Sequence, residues 1–180
     1  MRRMLKLSAA FVLAAGLTVA GHAAFAQAEA KKTPPGQAKK AAASSQHVML
    51  NSSEWKWGPG PPALPPGGQA AVLDGDPGKA GGHFTMVAKI PDGYKVPPHW
   101  HPTDENLAIV SGTLLLGMGD KMDQANMHAI NAGGFAKMPA KEHHSAMAKG
   151  ETIFYVYGVG PFDITYLNPN DDPRKKSTSK

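Results

Sequence analysis

Glycine and proline recur at short intervals after Trp57, and their spacing limits the possible secondary structure more than any other feature of the sequence. Between the interruptions no amphipathic stretch of helical length survives. Short β-type runs recur about every ten residues instead, a spacing typical of antiparallel sandwiches and barrels. The runs are HFTMVAKI (83–90), LAIVS (107–111), TLLLGMG (113–119), HAINAG (128–133), HHSAMA (143–148), TIFYVYGV (152–159) and FDITYL (162–167). The sequence therefore predicts an all-β domain over residues 46–170.

The segments that flank this domain have a different composition. Residues 1–26 combine an early cluster of three cations with an apolar run and a small-residue site that ends at Ala26, which is the pattern of a secretory signal peptide. Residues 27–45 lack aromatic and β-branched apolar side chains, so they predict a flexible linker, and residues 171–180 predict a charged, disordered tail. We therefore expect a periplasmic or secreted protein that is cleaved near Ala26. No second hydrophobic stretch has the length of a membrane span.

Charge and cysteine content exclude several classes of function. The formal net charge is +5, and removal of Arg2, Arg3 and Lys6 with the predicted signal peptide lowers it to +2. A charge this small disfavours a nucleic-acid partner. The chain has no cysteine, which excludes disulfide bonds, thiolate catalysis and thiolate metal ligands. Any metal ion must be bound through nitrogen and oxygen.

Candidate metal ligands occur in PPHWHPTDENLAIVSG, residues 97–112. Side chains alternate between the two faces of a strand, so His99 and His101 project to the same side. Glu105 keeps the same parity, and we expect the segment Pro102-Thr103-Asp104 to bend the chain and bring the carboxylate towards the histidines. A second candidate pair is His143 and His144. Because they are adjacent, only one of them can face the inside of a barrel, and strand geometry alone leaves the choice open.

The first of these segments resembles the first motif of the cupin superfamily. That motif is a glycine, five residues, H-x-H, three residues, a glutamate, six residues and a glycine. The matching positions are Gly93, His99, His101, Glu105 and Gly112. The resemblance implies a single cupin domain, which is a jelly-roll or double-stranded β-helix barrel, and it also implies a homodimer.

The second cupin motif is matched by Gly133, Pro139 and His144. Counting from Pro139, its spacing selects His144 over His143 as the fourth ligand. Two positions depart from the motif, since Lys141 replaces a glycine and Ala148 replaces a frequent asparagine. A residue other than glycine at a turn that requires positive φ is strained, so we expect strain at Lys141.

Three imidazoles and one carboxylate suit a divalent transition metal. The resemblance implies Mn or Fe as the cofactor, followed by Ni, Cu or Zn, and a small oxygen-bearing molecule as the ligand. If the protein is an enzyme, the resemblance implies a metal-dependent oxidoreductase or lyase of the dioxygenase, decarboxylase or isomerase type. The sequence leaves two alternatives open. One is a non-catalytic periplasmic module that binds a small ligand or a metal, and the other is a structural or sensing protein of the envelope.

Three further features have structural interpretations that compete with functional ones. Met118, Met122 and Met127 could bind copper through their thioethers, but methionine also fills barrel cores. Trp55 and Trp57 are predicted to cover the barrel end as core aromatics rather than to stack on a substrate. The segment GPGPPALPPGG, 58–68, predicts a rigid extended loop.

Overall fold

The structure is a computed structural model that describes residues 47–176. The predicted signal peptide (1–26) and linker (27–45) lie outside the described residues, as do the last four residues of the chain, and all of these assignments stay predictions. Within residues 47–176, no helix has the length and hydrophobicity that crossing a membrane requires.

The described residues form one curled antiparallel sheet of nine strands, which confirms the predicted all-β jelly-roll barrel. The 16-residue strand β8 lies at its centre and pairs with β3, β4 and β5. The strands are β1 (Gly58–Pro59), β2 (Gln69–Gly75), β3 (His83–Ile90), β4 (Lys95–Trp100), β5 (Glu105–Met118), β6 (His128–Asn131), β7 (Phe135–Met138), β8 (His144–Val159) and β9 (Thr165–Tyr166). Short 3-10 turns at Ser52–Glu54, Gln124–Asn126 and Pro169–Asp171 and one helical turn, α1 (Pro173–Lys176), complete the described part.

Two pairs of predicted strands are each one continuous, bent strand. The runs 107–111 and 113–119 lie in β5 apart from residue 119, and the runs 143–148 and 152–159 lie in β8 apart from residue 143. Gly112 has φ 77° and Gly150 has φ 76°. Glycine adopts these angles without steric cost, so each strand bends there and keeps its pairing on both sides.

The inward faces of the long strands form the core. Strand β3 contributes Phe84, Met86 and Ile90. Strand β5 contributes two residues before its bend and two after it: Leu107, Ile109, Leu114 and Leu116. On one side the barrel is covered by the proline-rich segment 58–68. Its carbonyls accept hydrogen bonds from two buried tyrosines, with the Tyr166 hydroxyl 2.8 Å from the Ala63 oxygen and the Tyr94 hydroxyl on the Pro65 oxygen. The predicted rigid loop is therefore pinned over the barrel interior.

The prediction that the two tryptophans belong to the core is wrong. Trp55 and Trp57 are half-buried and pack edge to face, with their ring centroids 5.6 Å apart. Trp55 also contacts the ring of Tyr155, and the Lys89 ammonium lies 4.9 Å from the centroid of Trp57. Alternation along β3 and β8 points Lys89 and Tyr155 away from the core, so the indole rings cover the outer face of the sheet.

The charged C-terminal segment is described as far as residue 176, and its first residues contact the barrel instead of extending freely. Asp172 is buried, and the Arg174 guanidinium donates to the Ile164 carbonyl at 2.9 Å. The short helix α1 begins at Pro173, a residue whose fixed φ suits a first helical turn. The barrel domain therefore extends past its predicted end at residue 170.

Candidate metal centre

Three histidines from two neighbouring strands meet inside the barrel. His99 is the penultimate residue of β4, His101 follows the end of that strand, and His144 begins β8 directly opposite His99. All three are nearly inaccessible to solvent, at 4%, 5% and 1% exposure. One ring nitrogen from each lies within 4.8 Å of the other two. The structure thus brings together three imidazoles that the sequence separates by up to 45 positions.

The remaining ring nitrogens are held by backbone carbonyls. The Nδ1 atoms of His99, His101 and His144 lie 2.7 Å, 2.7 Å and 3.0 Å from the carbonyl oxygens of Pro97, Asp163 and Glu142. A carbonyl oxygen only accepts, so each Nδ1 carries a proton, and in the neutral ring each Nε2 presents a lone pair. The Nε2 atoms of His101 and His144 are buried and make no hydrogen bond among the described residues. Buried polar atoms seldom lack a partner, and lone pairs of this kind are what a metal ion requires.

Glu105 lies beside the three histidines at the start of β5. Its Oε2 atom is 3.2 Å from His144 Nε2 and 3.6 Å from His101 Nε2. Residues 101–104 leave the strand conformation, so the bend expected at Pro102-Thr103-Asp104 is present. Glu105 and His144 are thus within ion-pair distance of each other, although His144 Nε2 makes no hydrogen bond among the described residues.

Burial and mutual proximity shift the pKa values of the cluster. Burial is the main reason that the pKa of His99 falls to about 3, and burial also lowers the pKa of His101. Burial opposes ionisation of His144 and Glu105 as well, but here their mutual attraction prevails. It raises the pKa of His144 and lowers that of Glu105. In the absence of metal, the cluster therefore holds neutral His99 and His101 near an ionised carboxylate.

The turn before β8 determines which of the two adjacent histidines enters the site. Lys141 has φ 66°, which confirms the strain expected there, and its backbone N–H donates to the His101 carbonyl at 2.8 Å. His144 then points inward. His143 points outward, where its Nδ1 lies 2.7 Å from the Asp120 carboxylate.

The other candidate residues are more exposed than this cluster. Met118 is 56% exposed, and Met122 and Met127 are half-buried near the end of β5. His83 and His128 are exposed. Neither of these two histidines belongs to the three-histidine group.

Sequence reasoning missed a cavity of about 360 Å³ that the histidine cluster borders. Its walls are mainly aliphatic and aromatic. They include Met86, Ile90, Val96, Leu107, Leu114, Leu116, Phe154, Val156, Phe162 and Ile164, together with the proline-rich segment at residues 60–64. Alternation along the strands was a usable signal for the wall residues. No sequence signal identified Phe162 and Asp163 as neighbours of His101, because one contributes a stacked ring and the other a backbone carbonyl.

Comparisons with known proteins agree with this architecture. The model of the DUF4437 family, described as a domain of unknown function, matches residues 20–165. A sequence comparison with curated proteins found no match. Among solved structures, an acetylacetone dioxygenase from Acinetobacter johnsonii is 16% identical with a TM-score of 0.58, and the match covers 76% of this chain and 87% of that one. The polyketide cyclase RemF from Streptomyces resistomycificus is 15% identical with a TM-score of 0.55, covering 74% and 94%. These likenesses establish the cupin fold.

Proposed function

The chain belongs to the DUF4437 family, and from that premise we propose that it binds a divalent transition metal through His99, His101, His144 and Glu105 and acts there on a small oxygen-bearing molecule. The observation that carries the proposal is the shared orientation of the histidines. Each Nδ1 is occupied by a carbonyl, so the Nε2 lone pairs are left for an ion. The donor set suits Mn, Fe, Ni, Cu or Zn, and the resemblance to the cupin superfamily puts Mn and Fe first.

The cavity favours a largely apolar ligand. Besides the cluster itself, the charged residues that line it among those described are Asp163 and Arg174, and these are paired with each other at 3.0 Å. A ligand with several charges would lose its hydration against aliphatic walls and gain few polar partners. A small carbonyl compound would keep its apolar part against those walls and its oxygen atoms near the histidines.

We propose dioxygenase-type chemistry, which the likeness to an acetylacetone dioxygenase supports. A bound Mn or Fe ion would supply Lewis acidity and redox capacity at the histidine cluster. The chain's own residues would orient the ligand, exclude water through the apolar walls and keep the three imidazoles in one tautomer. The hydroxyls of Tyr94 and Tyr166 already donate to carbonyls of the proline-rich segment, so their place in this scheme is to hold that wall of the cavity.

The metal site is tested by elemental analysis of purified protein after growth with Mn, Fe, Ni, Cu and Zn. The wild-type protein should carry about one equivalent of metal, and His99→Ala and His144→Ala should lose it. The matched control is His143→Ala, which removes the adjacent outward-facing imidazole and should retain full metal content. Metal-free wild-type protein under every growth condition would refute the proposal.

Catalysis is tested separately from metal binding. Oxygen consumption by the metal-loaded protein should be stimulated by acetylacetone and related small carbonyl compounds and abolished in His144→Ala. Tight binding of such compounds without turnover would favour the second candidate, a non-catalytic small-ligand module, which the same cavity also supports. Export to the periplasm or the medium rests on residues 1–26, and fractionation of cells that produce the full chain would test it.

A further inference from the structure

His101 differs from the other two histidines in the origin of the carbonyl that fixes its ring. The carbonyls that bind His99 and His144 belong to Pro97 and Glu142, each two residues earlier in the chain. The strand or turn that carries each of these two histidines therefore also orients it. The carbonyl that binds His101 belongs to Asp163, 62 residues away. The ring of His101 thus depends on how the segment around Asp163 is held.

Phe162 and Asp163 both contact the His101 ring and fix its orientation. The Phe162 ring stacks on the imidazole with centroids 4.4 Å apart and an angle of 15° between the planes. The Asp163 carbonyl accepts from Nδ1 at 2.7 Å. The segment lies between Val159, where β8 ends, and Thr165, where β9 begins, so the strands alone do not fix its position.

Two kinds of contact hold this segment: the Phe162 N–H donates to the Pro77 carbonyl at 2.7 Å, and the Arg174 side chain binds the next two residues. Its Nη1 donates to the Asp163 carboxylate at 3.0 Å, and its Nη2 donates to the Ile164 carbonyl at 2.9 Å. Asp172 accepts from Nε at 2.9 Å and from Nη2 at 3.0 Å, which holds the guanidinium itself in place. A planar guanidinium can serve these acceptors together because its donors form a rigid fork, whereas an ammonium group cannot.

We propose that Arg174 is a positioning residue for the metal centre. By binding Asp163 and Ile164 it holds the Asp163 carbonyl against His101 Nδ1, which keeps the proton on Nδ1 and the Nε2 lone pair directed at the ion. The inference rests on the proposed metal site. The inference also assigns a role to the C-terminal segment of the domain, because Arg174 lies in that segment and positions a proposed metal ligand, His101, 73 residues earlier in the chain.

The experiment compares Arg174→Met and Arg174→Lys with wild-type protein and with Lys149→Met. Lys149 is an exposed cation on β8, so its variant matches the change in charge and leaves the contacts of Arg174 in place. Metal affinity is measured by competition with a chelator. Partners that orient a metal ligand typically contribute 10-fold to 100-fold in affinity, so we expect Arg174→Met to bind metal about tenfold more weakly. Arg174→Lys should restore only part of the loss, and the control should bind as wild type does.

A second measurement does not require metal. Long-range ¹H–¹⁵N correlation spectra of the metal-free protein report which ring nitrogen of each histidine carries the proton. In wild type His101 should be the Nδ1–H tautomer. In Arg174→Met its signals should shift towards a mixture of tautomers, while those of His99 stay unchanged because its carbonyl partner is local.

The outcomes separate the two proposals. If wild-type protein binds no metal, the proposed function fails, and the tautomer of His101 still decides the role of Arg174. If Arg174→Met lowers thermal stability but leaves both the His101 tautomer and the metal affinity as in wild type, Arg174 is merely structural and the inference is overturned.

If Arg174→Met does not fold, Asp163→Ala replaces it in the experiment, because that variant keeps the Asp163 backbone carbonyl and removes one of the contacts that Arg174 makes. It should change the same two readouts in the same direction by a smaller amount, and unchanged readouts would overturn the inference.

Discussion

Lys141 occupies a backbone conformation that costs an L-residue about 1–2 kcal/mol. Glycine would adopt φ 66° without that cost, although it loses more chain entropy on folding. We therefore expect Lys141→Gly to raise the free energy of unfolding by about 0.5–1 kcal/mol. Lys141→Val should lower it, because a β-branched side chain is least tolerated at positive φ. Urea unfolding of the two variants and wild type measures both effects, and a destabilised Lys141→Gly would show that the turn is not strained.

The placement of single residues could be predicted where the cause is local. His99 and His101 share a side because strand residues two apart do so, and Glu105 follows after a proline-containing bend. The choice of His144 over His143 needed the spacing of a known motif, since strand geometry alone left it open. The partner of His101 could not be predicted, because any residue can supply a backbone carbonyl and this one lies 62 positions away.

At the scale of elements, the bend in β5 determines which of its residues face the core. Before the bend Leu107 and Ile109 are buried, and after it Leu114 and Leu116 are buried, so the inward positions change from odd to even numbers. The pairing with β8 shifts register in the same interval, between Ile109 and Thr113. The sequence predicted two separate strands because Gly112 divides the apolar run, whereas the structure has one strand whose two-residue period changes phase at the bend.

The two glycines of the first motif should therefore respond differently to substitution. A Cβ at Gly112, in the bend, would collide with the Glu151 carbonyl oxygen and lie 2.7 Å from Thr152 Oγ1, whereas a Cβ at Gly93 would meet open space. Both residues have φ above 70°, so both alanine variants carry backbone strain of about 1–2 kcal/mol. We expect Gly93→Ala to lose no more than that and Gly112→Ala to lose clearly more. Chemical unfolding of the pair measures the difference, and equal losses would mean that β5 can rebend without glycine.

At the scale of the whole molecule, the barrel buries three imidazoles and one carboxylate beside one another. Neutral His99 and His101 and ionised Glu105 are enclosed by an apolar core, so the metal-free protein has a stability that depends on pH. The sequence predicted the barrel and these residues, but it could not predict their pKa values, which depend on burial and on distances across strands.

The sign of the pH dependence follows from His99 and His101. In the unfolded chain a histidine has a pKa near 6.5, whereas in the folded metal-free protein burial lowers the pKa of His99 to about 3 and that of His101 in the same direction. Between pH 6 and pH 4.5 the unfolded chain therefore binds protons that the folded protein does not, and the free energy of unfolding falls as the pH falls. The raised pKa of His144 acts in the opposite direction near pH 6, and its effect fades at lower pH, where His144 is protonated in both states.

Urea unfolding of the chelator-treated protein at several pH values across this window tests the argument. His99 alone should contribute a slope of up to about 1.4 kcal/mol per pH unit, so His99→Gln should show a visibly flatter profile whatever its absolute stability. A His99→Gln profile as steep as wild type would mean that His99 takes up its proton in the folded state, and thus that the metal-free barrel admits water to the cluster.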